Sequence, residues 1–293
     1  MSAPSLDLGF RWIGREETAE GILLTVEIGA ESPAFRGHFP GRPILPAVAQ
    51  LALIEQGIAA LDEEPADPSL SIAEISGLRL RRTVGPGERL TLRLAAANET
   101  GARRFEIRSD GGSVSGGTVR TTRKGADELG GAPSVSTAST SALDLETLPK
   151  PIEAAGRVPH VPPALLIESL VTRGPSGARG RALISADSPF AAVGKAPSYL
   201  GLEIAAQTAA LVEALGREGE DSAPRVGYLV AIRQARCFAR TLPVGEPLDV
   251  VVRFAGSAPP LSIYEILVEQ AGRVRVEGTI STWITEGIRE GET

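Results

Sequence analysis

Residues 36–50 read RGHFPGRPILPAVAQ, and the rest of the chain is best placed relative to them. Three prolines and two glycines, at fixed spacing, surround one histidine. Pro40 and Pro43 rigidify a loop that aims His38 toward the start of a helix. That helix begins near Pro46, since proline suits a first turn, where its missing N–H costs nothing. The helix start presents free backbone N–H groups, including that of Ala47, and the positive end of its dipole. A substrate oxygen placed there is stabilised as negative charge develops on it, and His38, aimed at the same place, is a candidate base.

Downstream of the loop runs PAVAQLALIEQGIAALDEE, rich in Ala and Leu with few charges. This pattern predicts a helix buried on most sides. A second such stretch, PSYLGLEIAAQTAALVEALGRE, starts at Pro197. After each helix comes a shared pattern. RRTVGPGERLTLRL (81–94) matches ARTLPVGEPLDVVVR (239–253), with Thr83, Gly87, Glu88 and Leu90 repeated as Thr241, Gly245, Glu246 and Leu248 at an offset of 158. Both read as strand, Gly/Pro turn, then a strand alternating apolar and polar residues. Further strands are expected at Ile22–Ile28, Ile72–Leu80, Phe105–Arg108 and Val114–Arg120. In the second half they are expected at Leu165–Thr172, Ala182–Ala186, Gly227–Phe238, Ile263–Val268 and Val274–Trp283. Residues 125–148, rich in Gly, Ser, Thr and Ala and without an aromatic, read as a flexible linker. The expected organisation is therefore a domain at 1–124, a linker at 125–148 and a domain at 149–293. Each domain is α+β, an antiparallel sheet wrapped around one long helix.

Composition excludes several classes. Net charge is −6 without a long run of Lys or Arg, so nucleic acid is not an expected partner. No stretch approaches the roughly 20 apolar residues of a membrane span, and the first twenty residues carry no signal-peptide-like run. Cytoplasmic is the expected location. One cysteine, Cys237, and two histidines, His38 and His160, argue against a disulfide framework or a zinc enzyme. No metal is expected.

The segment from His38 resembles the GHFPGxPxxPG signature of the FabA/FabZ-type 3-hydroxyacyl-[acyl-carrier-protein] dehydratases. It matches at His38, Phe39, Pro40, Gly41, Pro43 and Pro46 and departs at Ala47, where that family usually has Gly. The resemblance implies two hotdog folds in tandem and His38 as the catalytic base. It also implies Phe39, Gly41, Pro46 and Ala47 at the substrate. In the family an acid lies fourteen residues after the histidine, a position occupied here by Ala52. Glu55, three residues later, is turned away by about 60° and is a poor replacement. The second half shows the complementary loss. Its Glu203-Ile-Ala-Ala-Gln207 matches the family's ExxAQ pattern, while the preceding SPFAAVGKAPSYLG has no histidine.

Because each site in such dimers combines the histidine of one subunit with the acid of the other, His38 and Glu203 are expected to meet in one complete site. Gln207 is expected to contact substrate, and Glu203 to have its carboxyl raised by burial so that it can donate a proton. PHVPPALLIESL (159–170) and YLGLEIAAQ (199–207) resemble the partner subunit of a dehydratase pair of bacterial aryl-polyene synthesis, and HFPGRPILPAVAQL resembles the other member. The implied reaction converts a (3R)-3-hydroxyacyl thioester to its trans-2-enoyl form. It needs no cofactor beyond the phosphopantetheine arm of acyl carrier protein, the implied partner, and a homo-oligomer of the fused pseudo-dimer stays open. His160 is expected to pack near the site, and Cys237 to be a small buried residue. Arg79, Arg81, Arg82, Arg103 and Arg104 are a basic subset suited to an acidic carrier protein or its phosphate, or to solvated strand faces. The competing readings are a hotdog thioesterase, in which a carboxylate activates water, and a non-catalytic carrier-protein-binding subunit.

Overall fold

A computed structural model describes residues 6–61, 70–123, 144–217 and 226–285. The first half contributes strands β1 (Phe10–Thr18), β2 (Gly21–Ile28), β3 (Ser71–Leu80), β4 (Arg89–Ala95), β5 (Ala102–Ser109) and β6 (Gly112–Thr122), with helix α1 (Ala47–Ala59). The second half contributes β7 (Glu146–Glu153), β8 (Ile167–Gly174), β9 (Gly177–Leu183), β11 (Val226–Cys237), β13 (Pro247–Ala258), β14 (Leu261–Gln270) and β15 (Arg273–Thr285), with helix α2 (Leu200–Leu215). A small pair, β10 (Lys195–Pro197) and β12 (Thr241–Pro243), stands apart.

All the other strands form one antiparallel sheet in the order β1-β2-β4-β5-β6-β3-β11-β15-β14-β13-β9-β8-β7. The order on either side of the β3–β11 junction is nearly a mirror image, so the expected double hotdog is present as one continuous sheet. The sequence repeat sits where this symmetry requires it. Gly87 and Gly245 both adopt left-handed backbone, at φ +77° and +78°, just before β4 and β13. That conformation is one glycine reaches without strain.

Alternation along the strands explains the two cores. Leu90, Leu92 and Leu94 of β4 and Leu24, Val26 and Ile28 of β2 are buried around α1, as are Val250 and Val252 of β13 and Val268 of β14 around α2. Each fully buried Leu, Ile or Val contributes about 1.5–3 kcal/mol. Both helices are buried on most sides, since Val48, Ala49, Leu51, Ala52, Leu53 and Ile54 of α1 all lie inside.

Some expected boundaries shift. Pro197 belongs to β10, paired with Thr241, so the second helix starts at Leu200. The strand expected at Ala182–Ala186 ends at Leu183, and the one expected at Leu165–Thr172 begins at Ile167. The linker expected over 125–148 falls largely outside the described residues, and its last residues are already strand, because β7 begins at Glu146. β1 and β7 had no sequence signal, being mostly exposed edge strands without clean alternation. Pro149 and Pro151 are tolerated in β7 because an edge has no second partner to receive their missing N–H groups.

Glu55 joins the halves on the side away from His38. Half-buried on α1, it accepts hydrogen bonds from the Ile72 backbone N–H (3.0 Å) and from the hydroxyl of Tyr199 at the start of α2 (3.1 Å). Burial pushes its carboxyl up to about 7 against the pull of these partners. A carboxyl raised on folding binds its proton more tightly in the folded state. Its contribution is thus fully present below its ordinary value of 4.5 and is lost as pH rises toward about 7. Glu55→Gln removes this dependence. Urea unfolding across about pH 5 to about pH 8 is expected to show the variant gaining about 2 kcal/mol on the wild type. A pH-independent difference would contradict the assignment.

Candidate active site

The loop quoted at the outset folds by local bonding. Pro33–Phe35 form a single 3-10 turn, and His38 N–H donates to Phe35 O at 3.1 Å. Phe39 and Arg42 exchange backbone hydrogen bonds across a turn in which Gly41 takes φ +74°. Ile44 N–H then donates to His38 O (2.8 Å), and Ile44 O lies 2.8 Å from His38 Nδ1. With Nδ1–H donating to that carbonyl, Nε2 is left with a lone pair. The loop ends at Pro46, whose extended backbone precedes α1 with no side-chain cap on the helix.

The second half reaches this loop through residues 159–167. Val161 N–H donates to Gly37 O at 3.2 Å. Gly37 is at φ +82°, and a Cβ there would stand 2.1 Å from Val161 O. Only glycine permits so close an approach. From α2, Gln207 holds the same segment, accepting from Leu166 N–H (2.8 Å) and Ile167 N–H (3.3 Å) and donating to Ala164 O (2.8 Å). It also donates to Glu203 Oε1 at 3.1 Å, one turn earlier on the helix.

These contacts bring His38 and Glu203 together as expected, with His38 Nε2 4.0 Å from Glu203 Oε1. His160 is closer still, its Nε2 3.1 Å from that oxygen. The rings of His38 and Phe39 stack at 4.2 Å, and Phe39 meets His160 edge-on at 4.7 Å. His160 is therefore part of the site and more than packing beside it. Its signal in the sequence was scarcity, since a chain with two histidines had little other use for the second.

A cavity of about 430 Å³ opens over this group. Its walls include His38, Phe39 and His160, Ala47 and Gln50 of α1, and Glu203, Ala206 and Ala210 of α2. Gly227–Val230 of β11, Thr282 and Trp283 of β15, and Arg81 and Arg82 also line it. Of the residues expected at the substrate, Phe39 and Ala47 line this cavity. Pro46 borders a smaller cleft shared with His38 and Glu203, while Gly41 is exposed in its turn. Gln207 is fully buried with its amide committed to protein partners, so it positions Glu203 and the 164–167 segment where substrate contact was expected.

The electrostatics also correct an expectation. Burial pushes the Glu203 carboxyl up, but the close His160 imidazole, the attraction of His38 in its protonated form and the Gln207 amide pull it down to about 2. Glu203 is a carboxylate here, not the raised acid anticipated. His38 moves down, chiefly through burial and against the pull of Glu203, which favours the neutral imidazole. Among the described residues the site has no counterpart across the pseudo-twofold. Ala52 lies in the core, and Glu55 is bound to Ile72 and Tyr199 outside the cavity. Cys237 is buried, its thiol pushed up to about 12. Arg82 is engaged by Glu88 and Arg81 reaches Ser113, both at the cavity rim, while Arg79 and Arg104 are exposed on strands.

Comparison with known proteins follows the division into halves. Residues 14–118 match the ApeI-like family, the ApeI dehydratase, and residues 152–290 match the ApeP-like family, the ApeP dehydratase. Over 82 residues the chain is 37% identical to the 3-hydroxyacyl-[acyl-carrier-protein] dehydratase FabZ of Burkholderia cenocepacia, covering 26% of this chain and 53% of that protein. The chain thus spans about half the length of the curated relatives it matches. It is similar in fold to the dehydratase domain of RzxB from Pseudomonas fluorescens, with TM-score 0.60 and 16% identity over 92% of this chain and 96% of that one. It is likewise similar to the pyran synthase domain from module nine of the sorangicin pathway, with TM-score 0.64 and 17% identity over 94% and 98%.

The Gly37–Val161 approach yields a controlled comparison. Gly37 and Gly41 share a positive φ, but a Cβ on Gly41 meets nothing within 4 Å. Gly41→Ala is expected to cost backbone strain alone, and Gly37→Ala to cost at least about 1 kcal/mol more through the clash. Chemical unfolding of the two variants reads the difference, and equal losses would mean that the contact is not a constraint.

Proposed function

We propose that this chain, a hotdog dehydratase resembling an ApeI-like and an ApeP-like subunit fused in one polypeptide, dehydrates a (3R)-3-hydroxyacyl thioester carried on acyl carrier protein. The observation that carries the proposal is the meeting of His38 from one half with Glu203 from the other in a single cavity. The two domains contribute unequally to one composite site, and the roles are those that its geometry suits.

The thioester carbonyl lies at the uncapped start of α1, where the Ala47 N–H and the helix dipole stabilise enolate charge. Neutral His38 takes the α-proton on Nε2. The Glu203 carboxylate accepts a hydrogen bond from the 3-hydroxyl and so orients the leaving group. The proton gained by His38 passes through Glu203, 4.0 Å away, to the departing oxygen. The Cβ–O bond breaks, the Cα–Cβ double bond forms, water leaves, and both side chains return to their starting states. Beginning with an ionised Glu203 is therefore compatible with dehydration, because the base supplies the proton that the leaving group needs.

The wall composition supports an acyl chain lying along α2. Ala206 and Ala210 leave room beside the helix, and Phe39, Tyr228 and Trp283 offer aromatic faces suited to an unsaturated or aryl-capped chain of polyene type. Arg81 and Arg82 at the rim suit the phosphate of the phosphopantetheine arm.

The test is an assay of 3-hydroxyacyl-carrier-protein dehydration by the wild type, His38→Ala, Glu203→Gln and Glu55→Gln. The first two variants are expected to lose at least about 100-fold in kcat, and the third to stay near normal. An inactive wild type would refute the function. A dead Glu55→Gln with an active Glu203→Gln would place the acid in the first half.

A further inference from the structure

His160 is 6% exposed, and neither of its ring nitrogens has an aligned hydrogen-bond partner among the described residues, although Nε2 lies 3.1 Å from Glu203 Oε1. Buried polar atoms are ordinarily paired, and one left over marks a place for a water or an ion. The ligand atoms of His38, His160 and Glu203 all lie within 4.8 Å of one another. We propose that these three residues form a zinc site, which takes Zn2+ from solution and blocks the reaction while the ion is bound.

Two imidazole nitrogens and one carboxylate oxygen are the donor set of open, three-ligand zinc sites, whereas Mg2+ and Ca2+ favour oxygen throughout. Tetrahedral zinc sets its ligand atoms about 3.4 Å apart, given metal–ligand bonds of about 2.0–2.1 Å. The contacts at 3.1 Å and 4.0 Å bracket that spacing.

The surrounding groups are those that metal ligands need. His38 Nδ1 lies 2.8 Å from the Ile44 carbonyl, and its donation there turns the Nε2 lone pair toward Glu203. Gln207 steadies the carboxylate at 3.1 Å. The cavity gives the ion an entrance and leaves the fourth position to water. Competition from elsewhere in the chain is small. The single cysteine, Cys237, is buried. Coordination would consume the lone pair with which His38 takes the α-proton, so the zinc-bound form has no base.

The experiment is calorimetric titration of the untagged, chelator-stripped full chain with ZnCl2 and, separately, MgCl2. The wild type is expected to bind one Zn2+ per chain with micromolar or tighter affinity and to give no saturable Mg2+ signal. His160→Ala and Glu203→Gln are each expected to weaken zinc at least about 10-fold, with circular dichroism confirming that they fold. No saturable zinc binding by the wild type, or unchanged affinity in both variants, overturns the proposal. Should a variant fail to fold, Co2+ added to the wild type decides. Intense visible bands of a low-coordinate nitrogen–oxygen site are expected, and the pale spectrum of aqueous Co2+ would overturn it. Zinc binding is read without the reaction, so an inactive chain that binds zinc refutes only the dehydratase reading. An active chain that does not bind refutes only the zinc site.

Discussion

Ile75 of β3 faces Ala235 of β11 across the junction between the two halves, and that antiparallel pairing makes one sheet from two repeats. Every other relation between the halves depends on it. With the sheet continuous, the loop before α1 and the first turns of α2 are held at the same place. The Gly37–Val161 hydrogen bond and the Gln207 amide then close the remaining gap by short polar contacts that tolerate little displacement. A buried carboxylate needs such an arrangement, since an ion removed from water persists only where it is paired and hydrogen-bonded. Glu203 has both.

The two pseudo-equivalent places have diverged in opposite directions. One carries His38, His160 and Glu203 around a cavity. The other has filled with Tyr199 and Glu55, whose hydrogen bond now links the helices inside the protein. In a homodimer of identical sites such divergence is impossible, because one sequence serves both. Within one continuous chain the two places need not be alike, and here one of them gathers His38, His160 and Glu203.

Much of the fold could be read from the sequence because it rests on local rules. The turn at Gly87 and Gly245, the alternation in β4 and β13, and the apolar helices all have periodic or conformational signatures. The edge strands β1 and β7 lack them, since only a few of their residues, such as Phe10, Trp12, Leu148 and Ile152, pack against the core and the rest are mostly exposed. In the site, His38 and Glu203 were legible through motif spacing. The place of His160 was not, because it depends on a glycine-mediated approach between segments more than a hundred residues apart. The ionisation of Glu203 was hidden for the same reason. Burial alone predicts a raised carboxyl, and the groups that reverse the direction come from three separate parts of the chain. The commitment of the Gln207 amide to residues 164–167 was likewise hidden, because those residues lie some forty positions earlier in the chain.

The central claim is that one chain builds one site from both of its halves. Mixing folded His38→Ala chains with folded Glu203→Gln chains tests it most directly. A site assembled within a single chain predicts that the mixture stays as inactive as either variant alone. Recovery of dehydration on mixing would contradict that account and place the working pair between chains.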